Sequence, residues 1–192
     1  MTGVFVNYRS SDEPYGAILI DRMLVDRFGP ESVFRDTRTL LAGTYFPDPL
    51  WRAARECQVL VVVIGPRWLE RDSRGRRRID EPDDYVRLEI AHALRRGIPV
   101  IPLLLDDTPA PKAADLPPDI AGVAQRQYRT VRRRSAEHDI ERILTEIECW
   151  VPRNALRSND RYWRTISIAP NISAAVGHIA FRNNSGPPTP AA

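Results

Sequence analysis

The chain has 192 residues, a formal net charge of +3 and 43% hydrophobic residues, enough for one domain of ordinary size with an appendage. Two cysteines, Cys57 and Cys149, and three histidines, at 92, 138 and 178, offer neither a disulfide framework nor zinc-ligand spacing, so both classes are set aside and no metal is expected. The N-terminus has no basic leader with a long apolar stretch, and the strongest apolar run, "VLVVVIG", is too short to cross a bilayer, which points to a cytoplasmic protein.

In chain order, 3–8 is a short apolar strand, and 15–28 follows with helical spacing at Ile18, Met23, Leu24 and Val25 before Gly29 stops it. A second strand, 32–34, runs into the turn-rich "RDTRTLLAGTYFPDP", and 50–56 makes a short helix. The nearly all β-branched run 59–65 suits a central parallel strand buried on both faces. A charged stretch leads into the helix "DDYVRLEIAHALRRG", residues 83–97, and Gly97 ends it just before "IPVIPLLL". Pro99 and Pro102 push that fourth strand toward an edge. A fifth strand at 128–131 and a last helix at 137–150 complete the pattern. Five alternations of strand and helix predict an α/β doubly wound sheet of five parallel strands, flavodoxin-like, with helices on both faces. Ligands of such sheets bind beyond the carboxyl ends of the strands, which directs attention to 8–12, 35–46 and 65–68.

The domain is placed at 1–152. Residues 153–192 carry five basic residues and one acidic residue among Asn, Ser, Pro and Gly, and are expected to form a flexible basic tail. Arg153, Arg157, Arg161 and Arg164 would share one helical face suited to an acidic partner, RNA or anionic lipid, but a solvated linker is the favoured reading, so neither nucleic acid nor membrane is clearly signalled. Dehydrogenase and P-loop glycine signatures are absent, and the third strand closes with Gly65 and Pro66 where a phosphorelay receiver would carry its phosphoacceptor aspartate.

Within the helix, Val86, Ile90, Ala93 and Leu94 make the buried stripe, and Glu89 lies at its edge beside Tyr85, His92 and Arg96. It has Ala93 four residues on, where a glutamate placed for helix stability would have a cation. Its end of the helix faces the same rim as the strand exits.

Four stretches, in order and at matching spacing, resemble a bacterial TIR (Toll/interleukin-1 receptor) domain over about residues 3–150. "VFVNYRSSD" is similar to the family's first strand, with Asn7 where Ser is usual. "VFRDTRTLLAGTYF" resembles its BB loop, with Ala42 in place of the proline before Gly43. "VLVVVIGPRWL" resembles the third strand and its exit, and "DDYVRLEIAHALRRGIPVIPLLL" the glutamate helix with strand four, Tyr85 standing where tryptophan is common.

The resemblance implies cleavage of NAD between nicotinamide and ribose, with Glu89 catalytic and NAD a substrate, so that no cofactor is needed. By the same resemblance Tyr8, Phe46 and Tyr85 would stack on the substrate's rings and Arg9 would meet its pyrophosphate, while Asp36, Gly43 and Trp68 border it. Packing roles for Tyr8 and Phe46, a solvated charge for Arg9, loop ordering by Asp36 and a lid or packing role for Trp68 stand beside these. The product is either ADP-ribose or a cyclic isomer. The resemblance further implies TIR–TIR self-association, a separate sensor protein as trigger, and a setting in innate immunity such as anti-phage defence. A non-catalytic TIR interaction module is the alternative.

Overall fold

The computed structural model describes residues 3–35 and 56–152, all within a compact unit, Met1–Asn154; a second unit, Ala155–Ala192, lies outside the described residues, as does most of the helix expected at 50–56. Five parallel strands form one sheet in the order β2-β1-β3-β4-β5: β1 (Val4–Asn7), β2 (Val33–Arg35), β3 (Val59–Ile64), β4 (Val100–Leu105) and β5 (Arg129–Val131). This is the flavodoxin-like order expected from the alternation, and its direction reverses between β1 and β3. The carboxyl ends of those two strands therefore flank the switch-point crevice.

Among the described helices, α1 (Pro14–Phe28) and α3 (Ala136–Ile147) cover one face and α2 (Tyr85–Arg95) the other. The two-residue period of β3 explains why all six of its side chains are buried. Val59, Val61 and Val63 pack with Leu24, Ile140 and Leu144, whereas Leu60, Val62 and Ile64 pack with Val86, Ile90 and Trp68.

Two expectations are corrected. In α1 the buried stripe is Ala17, Ile20, Leu24 and Phe28, and Ile18 is 45% exposed. Small residues carry the start of this helix onto the sheet: a Cβ on Gly16 would lie 2.5 Å from Leu105 Cδ1. The second correction is that β4 is an interior strand with Pro102 inside it, paired opposite Val62. The β5 ladder begins only at Leu103, so Pro102 has a partner strand on one side alone, and its missing N–H is tolerated there.

Candidate functional site at the β1–β3 rim

Helix α2 starts where the sequence chemistry dictates. Asp84 caps it, its carboxylate accepting from the Arg87 N–H at 3.2 Å, and the chain turns into β4 after Gly97, which holds a left-handed φ of 66°. Val86, Ile90 and Ala93 face the sheet as expected. Glu89 does more than border that stripe: it is 6% exposed, a carboxylate inside the core layer. Burying a charge is costly unless it is hydrogen-bonded, and one partner comes from β1. Asn7 Nδ2 donates to Glu89 Oε2 at 2.6 Å and also to the Val86 carbonyl at 3.2 Å.

The strand pleat decides which β1 residue meets Glu89. Phe5 and Asn7 point to the α2 side, whereas Val4, Val6 and Tyr8 point to the other. Tyr8 packs against the α1/α3 core with the Arg35 guanidinium 5.9 Å from its ring centroid, so the structure does not set it beside Glu89. Asn7, which the sequence reading passed over except as a departure from a motif, occupies that place.

Arg9 is not a solvated charge. Its Nη1 and Nη2 donate to Asp84 Oδ1 and Oδ2 at 3.0 and 2.8 Å, a fork with the two side chains 7% and 2% exposed. Its charge is thus balanced from within the protein, and Arg78 Nε approaches the same carboxylate at 3.5 Å. Trp68, at 2% exposure, is a core residue of the α2 side. Tyr85 is 38% exposed at the first turn of α2, and its ring is accessible. Asp36, Gly43 and Phe46 lie outside the described residues.

A cavity of about 590 Å³ opens between the exits of β1 and β3 and the start of α2, with Arg9, Trp68, Asp84 and Tyr85 in its wall. Six arginines and five carboxylates line it, so its charges nearly cancel. Asp12 ties the exits of β1 and β3 together, its carboxylate accepting from the N–H groups of Gly65 and Arg67, each at 2.7 Å. Burial outweighs those two bonds and raises the Asp12 pKa above the ordinary carboxylate range. Gly65 is required by the close approach, since a Cβ there would sit 2.5 Å from Glu13 Cγ and 2.7 Å from Asp12 Oδ1. Among the described residues no cluster of three or more His, Cys, Asp or Glu could hold a metal, and no helix is long and apolar enough to cross a membrane.

The profile of the TIR domain family matches residues 4–144, well over half of the chain. This chain belongs to the TIR domain family. Among solved structures, the TIR domains of the activated Roq1 resistosome, which directly recognises the pathogen effector XopQ, share 15% identity with it. That match covers 77% of this chain and 99% of that one, with a TM-score of 0.57. A metazoan TIR-STING receptor from C. gigas, solved with 2',3'-cGAMP, shares 20% identity over 73% of this chain and 38% of its own, at a TM-score of 0.47. A search among curated proteins finds no significant match.

In this TIR domain the sheet order, the buried glutamate on the helix before β4 and the aromatic residue four positions earlier fall together at one rim. Cys57, just before β3, belongs to the same neighbourhood. Burial, with a smaller push from the Glu89 charge, drives its thiol up to about 12, so it stays protonated at neutral pH. Cys149 is exposed. Titration of the native protein with a thiol reagent at pH 7.5 is therefore expected to label one cysteine promptly, with the second reacting only on unfolding. Prompt labelling of both would show that the Glu89 neighbourhood opens to solvent.

Proposed function

We propose that this TIR domain cleaves NAD at the bond between nicotinamide and ribose, with Glu89 as its catalytic residue. The observation that carries the proposal is the buried Glu89 carboxylate, held at the switch-point rim by Asn7 and one turn beyond the accessible ring of Tyr85. One carboxylate suffices for this chemistry. When the C1′–N bond breaks, its electron pair passes to the pyridinium nitrogen, so nicotinamide leaves neutral and needs no acid to protonate it. The ribosyl group is left as an oxocarbenium cation. An ionised carboxylate with little water around it stabilises that charge far better than the same group would in bulk solvent. Water then adds at C1′ and gives its proton to Glu89, yielding ADP-ribose; attack by a nitrogen of the adenine moiety would instead yield a cyclic isomer. Tyr85 would stack on a substrate ring, and the adjoining cavity would take part of the dinucleotide. NAD is here a substrate, with no cofactor and no metal in the reaction.

The test is incubation of concentrated protein with NAD and chromatography of the products. Nicotinamide with ADP-ribose or a cyclic isomer is the expected result. Intact NAD after prolonged incubation of assembled protein would favour the second reading, a non-catalytic TIR interaction module. One observation favours that alternative: a carboxylate so buried and hydrogen-bonded inward also serves to lock α2 onto β1.

We further propose that the domain works in immune signalling inside the cell, anti-phage defence included, where a separate sensor protein triggers it through TIR–TIR association. The apolar stretch "TLLAGTYF", 39–46, is the proposed contact for that association. Specific activity should then rise about tenfold or more across a ~100-fold range of protein concentration, because assembly acts by mass action. A flat profile, with Leu40→Asp and Leu41→Asp as active as wild type, would separate assembly from catalysis.

A further inference from the structure

We infer that Asn7 is the positioning residue of this site, its side-chain amide holding the Glu89 carboxylate in a single orientation and as a hydrogen-bond acceptor. The inference rests on the proposed NAD cleavage for its activity readouts and on geometry alone for the rest.

The two hydrogens on Asn7 Nδ2 are assigned to two acceptors, Glu89 Oε2 at 2.6 Å and the Val86 carbonyl at 3.2 Å. This settles which way the amide faces, because a flipped amide would set its oxygen against both acceptors. Asn7 is 1% exposed and is the last residue of β1, paired with Val62 of the central strand, so the donor sits on a rigid element. The Val86 bond fixes the first turn of α2, and the Glu89 bond fixes the carboxylate one turn later. A serine, the usual residue of the resembling motif at this place, has one hydroxyl hydrogen and could satisfy only one of the two acceptors. Asparagine joins strand, helix and carboxylate through one group.

Cys57 stays a neutral thiol at neutral pH. Arg9 is locked to Asp84 at the helix start, while Tyr85 and His92, four residues before and three after Glu89, share its face of α2.

Three variants test the inference, each with a melting curve. Asn7→Asp, of the same shape, places a second carboxyl against Glu89, and the pair must share a proton. Its kcat should fall about tenfold or more at pH 7 with KM little changed, and the acid limb of its kcat/KM profile should move up by about one pH unit or more. Asn7→Ser should recover part of the loss, and Asn7→Leu none of it. Independently of turnover, the Glu89 carboxyl resonance, assigned by its absence in Glu89→Gln, should titrate at higher pH in Asn7→Asp than in wild type. An unmoved resonance and pH profile in a folded Asn7→Asp protein, with only the melting temperature lowered, would reduce Asn7 to a packing residue and overturn the inference. A resonance that moves in a protein that never cleaves NAD would uphold the positioning role and reject the proposed reaction instead.

Discussion

Glu89→Gln is expected to melt like wild type and to lose NAD cleavage by about 100-fold or more, equivalent to about 2.7 kcal/mol of transition-state stabilisation. Fold is retained because glutamine keeps the shape of the side chain and its Oε1 can still accept the hydrogen bond from Asn7 Nδ2. Activity is lost because a neutral amide cannot match a carboxylate beside a developing cation, and little water is present at a 6% exposed position to substitute for it. Glu89→Ala is the poorer probe. It strands the Asn7 amide without its carboxylate acceptor, which costs about 1–3 kcal/mol in a buried setting, so lost activity there would mix chemistry with damage. Product chromatography at matched concentration, with melting curves for both variants, reads out the comparison. Undiminished turnover in folded Glu89→Gln would remove this carboxylate from the mechanism.

The fold was legible because its signals are local and repeat. The β-branched run 59–65 is a strand wherever it lies, and short α/β units with right-handed crossovers leave few sheet orders to choose among. The site was legible only along single elements. A helical wheel places Glu89 at an angle about α2, but the angle is silent about what covers it, and the covering residue, Asn7, is 82 positions away in sequence. The Arg9–Asp84 fork joins residues 75 apart and is hidden for the same reason. Asp84 could have been recognised as a helix cap from its place before "YVRLEIAHAL"; that it also binds Arg9, just past the end of β1, could not. Tyr8 and Asn7 differ by one position on a strand apolar toward both faces, so the sequence pattern carries no parity to say which of them turns toward α2. The rule that proline belongs at edges failed for β4 because the boundary of its neighbour β5, not its own composition, determines where an amide is dispensable.

Asp84→Ala is expected to be the most destabilising single substitution at the rim, by about 3–5 kcal/mol, with a melting temperature lower by about 10 °C. Two losses combine. Arg9, 7% exposed, would keep its charge without the carboxylate that both of its terminal nitrogens now face at 3.0 and 2.8 Å, and an uncompensated buried charge is the costlier of the two. The first turn of α2 would also lose the cap on the Arg87 N–H, worth about 1 kcal/mol. Arg9→Met should cost less, because Asp84 would retain that N–H and Arg78 Nε at 3.5 Å. Combining Arg9→Met with Asp84→Ser, which keeps a capping oxygen and removes both charges, should be milder than Asp84→Ala alone, since no unpaired charge then remains in the core. Urea unfolding of the three proteins, with Asp84→Ser alone to close the cycle, measures the ordering. A loss below about 1 kcal/mol for Asp84→Ala, or strict additivity across the pair, would mean that Arg9 finds solvent when its partner is removed. Should the predicted ordering hold, NAD turnover by the double variant becomes the informative assay: it leaves the Asn7–Glu89 bond in place while taking both charges out of the wall shared with Tyr85. Activity close to wild type would then assign the Arg9–Asp84 pair to holding α2 against the sheet, and a KM raised with kcat unchanged would assign it to substrate binding.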